Sequence, residues 1–197
     1  MMKIFLATGN KHKIEEITAI FKNVKNIEIL SIKDGIDIPE VVEDGDTFEA
    51  NSAKKALEIA KYTGMITIAD DSGLCVDALN GAPGVYSARY SGENATDDSN
   101  NKKLIRELQG KENRKAHFVS VITLGKPDGR SYSFRGEVSG EIIDEPRGDK
   151  GFGYDPHFFV AEYRKTLAEM PDIKNIISHR ANALKKLEAE LENILKD

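Results

Sequence analysis

Ile4-Phe5-Leu6-Ala7-Thr8-Gly9-Asn10-Lys11-His12-Lys13-Ile14 is the stretch from which the rest of the chain is read. Four apolar residues end at a Thr-Gly-Asn turn, and beyond it Ile14, Ile17, Ile20 and Phe21 recur at helical spacing. The pattern predicts a strand, a tight turn and a helix, with Asn10 as the N-cap. Outward from it, Ile27–Leu30 reads as a second strand, and the polar segment 33–46, with Gly35, Pro39 and Gly45, as loop or edge. Asp46-Thr47-Phe48-Glu49 resembles a capping box with an acidic cap. It opens a helix with Phe48, Ala53, Ala56, Leu57 and Ala60 on its apolar face, which Gly64 ends. Residues 65–69 form a short apolar strand that runs into an acidic turn, Asp70-Asp71-Ser72-Gly73.

The second half has another character. Residues 81–90 read as loop, and a helix spans about 97–108 with Gly110 beyond its end. Residues 116–124 are rich in β-formers, Lys126-Pro127-Asp128-Gly129 is a turn signal, and 131–134 resume a strand, which together make a hairpin. A further strand is expected at 138–143, a glycine-rich loop at 147–156, a short apolar segment at Phe158–Val160, and a last helix from near Ser178. The chain reads as mixed α/β, residues 1–197 forming a single domain.

Composition excludes several function classes. The 197 residues are 40% apolar and 31% charged, as in an ordinary globular protein. Lys and Arg number 28 against 33 Asp and Glu, a formal charge of −5, which is unsuited to a broad phosphate footprint on nucleic acid. No stretch approaches the roughly 20 apolar residues of a membrane span, so no membrane partner is expected. The single cysteine, Cys75, excludes an intrachain disulfide and fits a reducing, cytoplasmic setting.

Five places carry chemistry. Thr8-Gly9-Asn10-Lys11-His12-Lys13 offers backbone N–H groups and cations to an anion at a helix start, without the spacing of a Walker A loop. Asp70 and Asp71 repel each other and call for something positive nearby; Mg²⁺ takes such oxygens, and a carboxylate there also serves as general base. The acidic loop Glu40-Val41-Val42-Glu43-Asp44 offers a further ligand or is simply a solvated surface loop. Gly151-Phe152-Gly153-Tyr154-Asp155-Pro156 frames an aromatic ring for stacking and a carboxylate for a base edge, or else anchors Phe152 in the core. Lys174 with Ser178-His179-Arg180 gathers hydrogen-bond donors near a helix start, with a plain helix cap as the alternative.

Taken together with Thr47-Phe48, Asn51 and Lys55 and with Gly81-Ala82-Pro83-Gly84-Val85-Tyr86-Ser87-Ala88-Arg89-Tyr90, these segments resemble the inosine triphosphatase family over essentially the whole chain. The resemblance implies an elongated, two-lobed α/β fold, a mixed sheet with flanking helices and a central cleft, working as a homodimer. It implies Mg²⁺-dependent hydrolysis of dITP, ITP or XTP, a small-molecule nucleotide substrate, to the monophosphate and pyrophosphate. Carried over by position, Thr8, Gly9, Asn10, Lys11, His12, Lys13 and Ser72 hold the phosphates and Lys55 approaches them. Asp71 is general base and metal ligand. Phe152 stacks on the purine within Phe152-Gly153-Tyr154-Asp155, Asp155 bonds its edge, and Lys174, His179 and Arg180 read the 6-oxo group. Two adjacent glutamates common in bacterial members fall here on Val42 and Glu43, so Glu43 is taken as the second acidic metal ligand, with Glu40 in reserve. The rival readings are a nucleotide-binding regulator or RNA-binding module and an enzyme of pyrimidine or modified nucleotides.

Overall fold

Parallel strands need long crossover connections, and the first third of the chain supplies them as helices. The computed structural model describes residues 2–22, 24 and 26–196; the side chain of Ile20, expected on the apolar face of the first helix, lies outside the described set. Strand β1 (Met2–Leu6) leads through helix α1 (Lys11–Phe21) to β2 (Ile27–Leu30), and helix α2 (Phe48–Thr63) leads on to β3 (Ile66–Val76). β1 lies parallel to both neighbours, with Ile4 opposite Ile29 of β2 and Leu6 opposite Ile68 of β3. Helix α3 (Asp97–Glu107) precedes the long strands β4 (Lys115–Gly125) and β5 (Ser131–Ile142); β6 (Phe158–Val160), β7 (Lys165–Thr166), helix α4 (Pro171–Ile177) and helix α5 (His179–Lys196) complete the chain. The seven strands form one open mixed sheet in the order β2-β1-β3-β4-β5-β6-β7, with antiparallel pairing from β5 through β7. No helix among the described residues is long and apolar enough to cross a membrane.

The chain divides into two compact units, one of residues up to Asp71, Ser120–Gly136 and Arg180 onward, the other of Ser72–Val119 and Glu137–His179. Strand alternation sorts the core of the first. Ile4, Leu6, Ile68, Ile122 and Leu124 meet α1 through Ile14, Ile17 and Phe21 and α5 through Leu184, Leu187 and Leu191. The alternate residues, Phe5 of β1, Ala7 just beyond it and Ala69 of β3, meet Ala56 and Ile59 of α2. The second unit has its own core, in which Leu104 and Leu108 meet Leu74, Val76, Phe118, Ile142, Phe158 and Met170. Each such aliphatic or aromatic burial is worth roughly 1.5–3 kcal/mol, so each unit holds itself together by its own apolar contacts.

Several expectations from sequence are corrected. β3 does not stop at residue 69; it runs through Asp70 and Asp71 to Val76, so the acidic pair sits inside a strand rather than in a turn. The two strands expected at 131–134 and 138–143 are one continuous strand, β5, because Arg135 to Glu137 keep its alternating burial. Thr47, not Asp46, caps α2, its Oγ1 accepting from Ala50 N–H at 3.1 Å. The structure adds α4, which the sequence pattern does not show; Pro171 stands at its start, where a missing N–H costs nothing.

Candidate active site

In the first unit, alternation along β3 aims the two aspartates at opposite faces of the sheet. Asp70 shares its face with Ile68 and points toward α1 and α5; Asp71 shares its face with Ala69 and points toward α2. Asp70 is 2% exposed. Lys13 Nζ of α1 lies 2.6 Å from its Oδ2, Arg180 Nη2 of α5 lies 3.2 Å away, and Ser120 Oγ donates to its Oδ1 at 2.5 Å. Burial alone raises a carboxyl's pKa, but the Arg180 and Lys13 charges outweigh it and hold Asp70 far below the usual carboxylate range. Arg180 is itself buried and carries a second ion pair to Glu16 of α1.

Asp71 is in the opposite condition. Burial pushes its pKa up to about 6, and the charges of Glu43 and Asp70 add to this, while the Asn51 amide and Lys13 oppose it. Asn51 Nδ2 donates to Asp71 Oδ2 at 3.0 Å, and Asn51 Oδ1 accepts from Gly45 N–H at 2.8 Å. A Cβ on Gly45 would stand 2.8 Å from Asn51 Oδ1, so this glycine lets the acidic loop come close to α2. Glu43 is half-buried and paired with Lys55 of α2, while Glu40 is exposed. Thr8 is buried, and Asn10 caps α1 by accepting from the N–H groups of His12 at 3.0 Å and Lys13 at 3.2 Å. The loop 8–13, Lys55, Glu43, Asp71 and Arg180 all belong to this unit; Ser72, half-buried, follows Asp71 in β3.

The second unit holds the aromatic cluster. Asp155 Oδ2 accepts from Phe152 N–H at 3.0 Å and from Lys174 Nζ of α4 at 2.7 Å, and Lys174 Nζ lies 4.6 Å from the centre of the Phe152 ring. Asp155 and Lys174 are both buried, whereas Phe152 is half-buried. Gly151 has φ +79°, and a Cβ there would meet Asp155 Oδ2 at 2.2 Å, so only glycine permits this hairpin of the chain around its own carboxylate. Tyr154 is buried with its hydroxyl donating to Ser87 O at 2.7 Å. His179 is buried and stacks on Phe118, ring centres 4.8 Å apart.

Lys174 thus joins Phe152 and Asp155, as the residue types suggested. In the second unit His179 lies on Phe118, and in the first unit Arg180 pairs with Asp70 and Glu16. Successive helix residues point about 100° apart, so neighbours at the start of α5 take different partners. Sequence reasoning assigned no role to Asn51, Glu16, Ser120 or Asn101. Asn51 is singled out in the sequence together with Lys55, four residues on and on the same helical face, but only the structure gives it Asp71 as a partner; nothing in the sequence marks Ser120.

These residues sit in a chain with many known relatives. The Ham1 family profile matches residues 4–190. The chain is 53% identical to a dITP/XTP pyrophosphatase of Geobacter sulfurreducens, over 97% of each chain. It is 52% identical to one of Desulfotalea psychrophila, over 98% of this chain and 86% of that one. A HAM1 protein of Coxiella burnetii superposes with a TM-score of 0.90 at 40% identity, over 98% of this chain and 100% of that one. The Ham1 protein of Staphylococcus aureus does so with 0.87 at 44% identity, over 97% and 98%. With the family profile spanning nearly its whole length and relatives above half identity, this chain belongs to the Ham1 family.

Proposed function

We propose that the protein is a nucleoside-triphosphate pyrophosphatase that hydrolyses dITP, XTP and ITP to the monophosphate and pyrophosphate with Mg²⁺, clearing non-standard purines from the nucleotide pool. The observation that carries this reading is Asp71: a buried carboxylate with its pKa raised to about 6, held by Asn51 and facing the negative charge of Glu43. A base in that range is largely ionised near neutral pH yet accepts a proton readily. Asp71 takes a proton from the attacking water, and the loop 8–13 receives the phosphates at the positive end of α1, with Lys13 adding its charge from beside Asp70. The dITP/XTP activity named for relatives at 52–53% identity supports the substrate class.

The residues present fit a magnesium ion. Their oxygens are hard carboxylate donors, and Asp71, whose pKa is raised first by burial and then by the charges of Glu43 and Asp70, would regain its ionised form beside a cation. Among the described residues no three His, Cys, Asp or Glu side chains group as a metal cage. That suits Mg²⁺, which is held by one or two carboxylates plus substrate phosphates. Asp71 and Glu43 would hold it, Glu43 rather than the exposed Glu40. Bound there, Mg²⁺ supplies charge against the developing charge on the phosphates.

Phe152 is assigned to stack on the purine, with Asp155 on its edge and Lys174 and His179 as donors for the 6-oxo group. Such donors meet an amino group in adenine, and each buried donor left unpaired costs about 1–3 kcal/mol. Two of them give discrimination against dATP on the order of a hundredfold. A homodimer in the cytoplasm belongs to the same proposal and rests on the family resemblance. Incubation with dITP and Mg²⁺ tests the central claim. The expected products are dIMP and pyrophosphate; dIDP with inorganic phosphate would refute the bond assignment.

A further inference from the structure

Two side chains of α3, Asp97 and Asn101, stand one turn apart on the same helical face and address a single residue of the aromatic loop. Asp97 Oδ2 accepts from Gly153 N–H at 2.7 Å, and Asn101 Nδ2 donates to Gly153 O at 2.9 Å. Both backbone groups of Gly153 are therefore held by one helix, and Gly153 lies between Phe152 and Tyr154. Gly153 has φ +61°, so the clamp grips the chain where it makes a left-handed turn.

The neighbouring Asn100 extends the same frame. Its Nδ2 donates to Ser87 O at 3.3 Å and Ala88 O at 3.1 Å, and its Oδ1 accepts from Ser91 N–H at 2.8 Å. Tyr154 is tied to the same Ser87 carbonyl. Asn101 also carries a cost: its Oδ1 is buried and has no hydrogen-bond partner. A residue serving only to pack α3 would have no need of an amide with an unsatisfied acceptor. The amide is explained by its other end, which holds the Gly153 carbonyl.

We infer that Asp97 and Asn101 are positioning residues for nucleobase binding, fixing the Gly153 peptide and through it the plane of the Phe152 ring. The inference rests on the proposed stacking role of Phe152. Stacking energy depends on ring placement, and a ring free to rock loses binding without touching the phosphate end of the reaction.

The chain contains no tryptophan, so Phe152→Trp gives a single tryptophan, excited apart from the tyrosines, at the stacking position. The reporter protein is titrated with dIMP, alone and with Asp97→Ala, Asp97→Asn or Asn101→Ala added; melting temperatures check that each is folded. The same three substitutions without the reporter are assayed for dITP hydrolysis. The expected result is saturable quenching whose half-point rises on the order of tenfold in Asp97→Ala and Asn101→Ala. Asp97→Asn keeps an acceptor for the Gly153 N–H and returns to within about threefold. In turnover the loss falls on KM for dITP, with kcat and inhibition by inorganic pyrophosphate little changed. An unchanged half-point in every folded clamp variant overturns the inference and leaves the stacking role standing. No quenching by dIMP in the reporter protein itself overturns the stacking role, and the inference with it.

Discussion

Replacing Asp71 by Asn should make the protein more stable and inactive, and the gain in stability should depend on pH. The carboxyl is 6% exposed, and its pKa moves from 3.8 to about 6 on folding, mainly through burial. At 1.36 kcal/mol per pH unit this corresponds to a destabilisation of roughly 3 kcal/mol once the group is ionised in the folded protein. The sign follows from the raised value: the folded state binds the proton more tightly, so the native protein is favoured at low pH. That advantage is lost as pH rises through about 6. The amide has no charge to bury and still presents an oxygen to Asn51 Nδ2. The difference in unfolding free energy, Asp71→Asn minus parent, should therefore be near zero at pH 4, climb between pH 4 and pH 6, and level off at up to about 3 kcal/mol. For a chain of this size that is about 6–12 °C in melting temperature. Urea titrations across pH 4 to 8 in EDTA measure it, with dITP turnover measured in parallel. A pH-independent difference, or a less stable variant, would refute the account of Asp71 as a carboxylate strained for use. Retained turnover would remove it as the base.

The adjacent aspartate should behave in the opposite sense. Asp70→Asn leaves Lys13 and the buried Arg180 without their shared carboxylate, which for a buried pair costs about 3–5 kcal/mol. Because the Asp70 pKa is depressed, its contribution is full above the unfolded value of 3.8 and fades as pH falls below it, so the penalty measured by urea unfolding should shrink in acid. Gly151→Ala should be poorly tolerated: its Cβ would stand 2.2 Å from Asp155 Oδ2 at φ +79°, displacing the carboxylate from Lys174. The expected outcome is a loss of about 1–3 kcal/mol in stability together with a raised KM for dITP, read by thermal melts and initial rates. Gly45→Ala should push Asn51 off Asp71; losing that donor, which lowers the Asp71 pKa, should steepen the loss of stability as pH rises above 4, read by urea unfolding across pH 4 to 8.

How far the sequence led can be judged on β3. The apolar run before Asp70 is legible, but its continuation is not, because Asp70, Asp71, Ser72 and Gly73 have the composition of a turn. What overrides propensity is tertiary: Lys13, Arg180 and Ser120 satisfy Asp70, and Asn51 meets Asp71, so that a strand can pass two carboxylates through a buried sheet. None of those partners lies within twenty residues except Asn51, and local pattern carries no information about them. The strand-turn-helix unit that opens the chain was legible, since β1 and α1 announce themselves by periodicity. The splitting of His179 from Arg180 was not, because it follows from which way a helix start faces. The same physics accounts for the division of labour on β3. Once strand alternation sends Asp70 to the face with two cations and Asp71 to the face with an amide and another carboxylate, their pKa values must separate in opposite directions. A pair of identical residues thereby becomes one fixed anion that anchors α1 and α5 and one carboxyl that titrates near 6. The pairing is intelligible only because they are adjacent in a strand; on a helix they would share more of one environment.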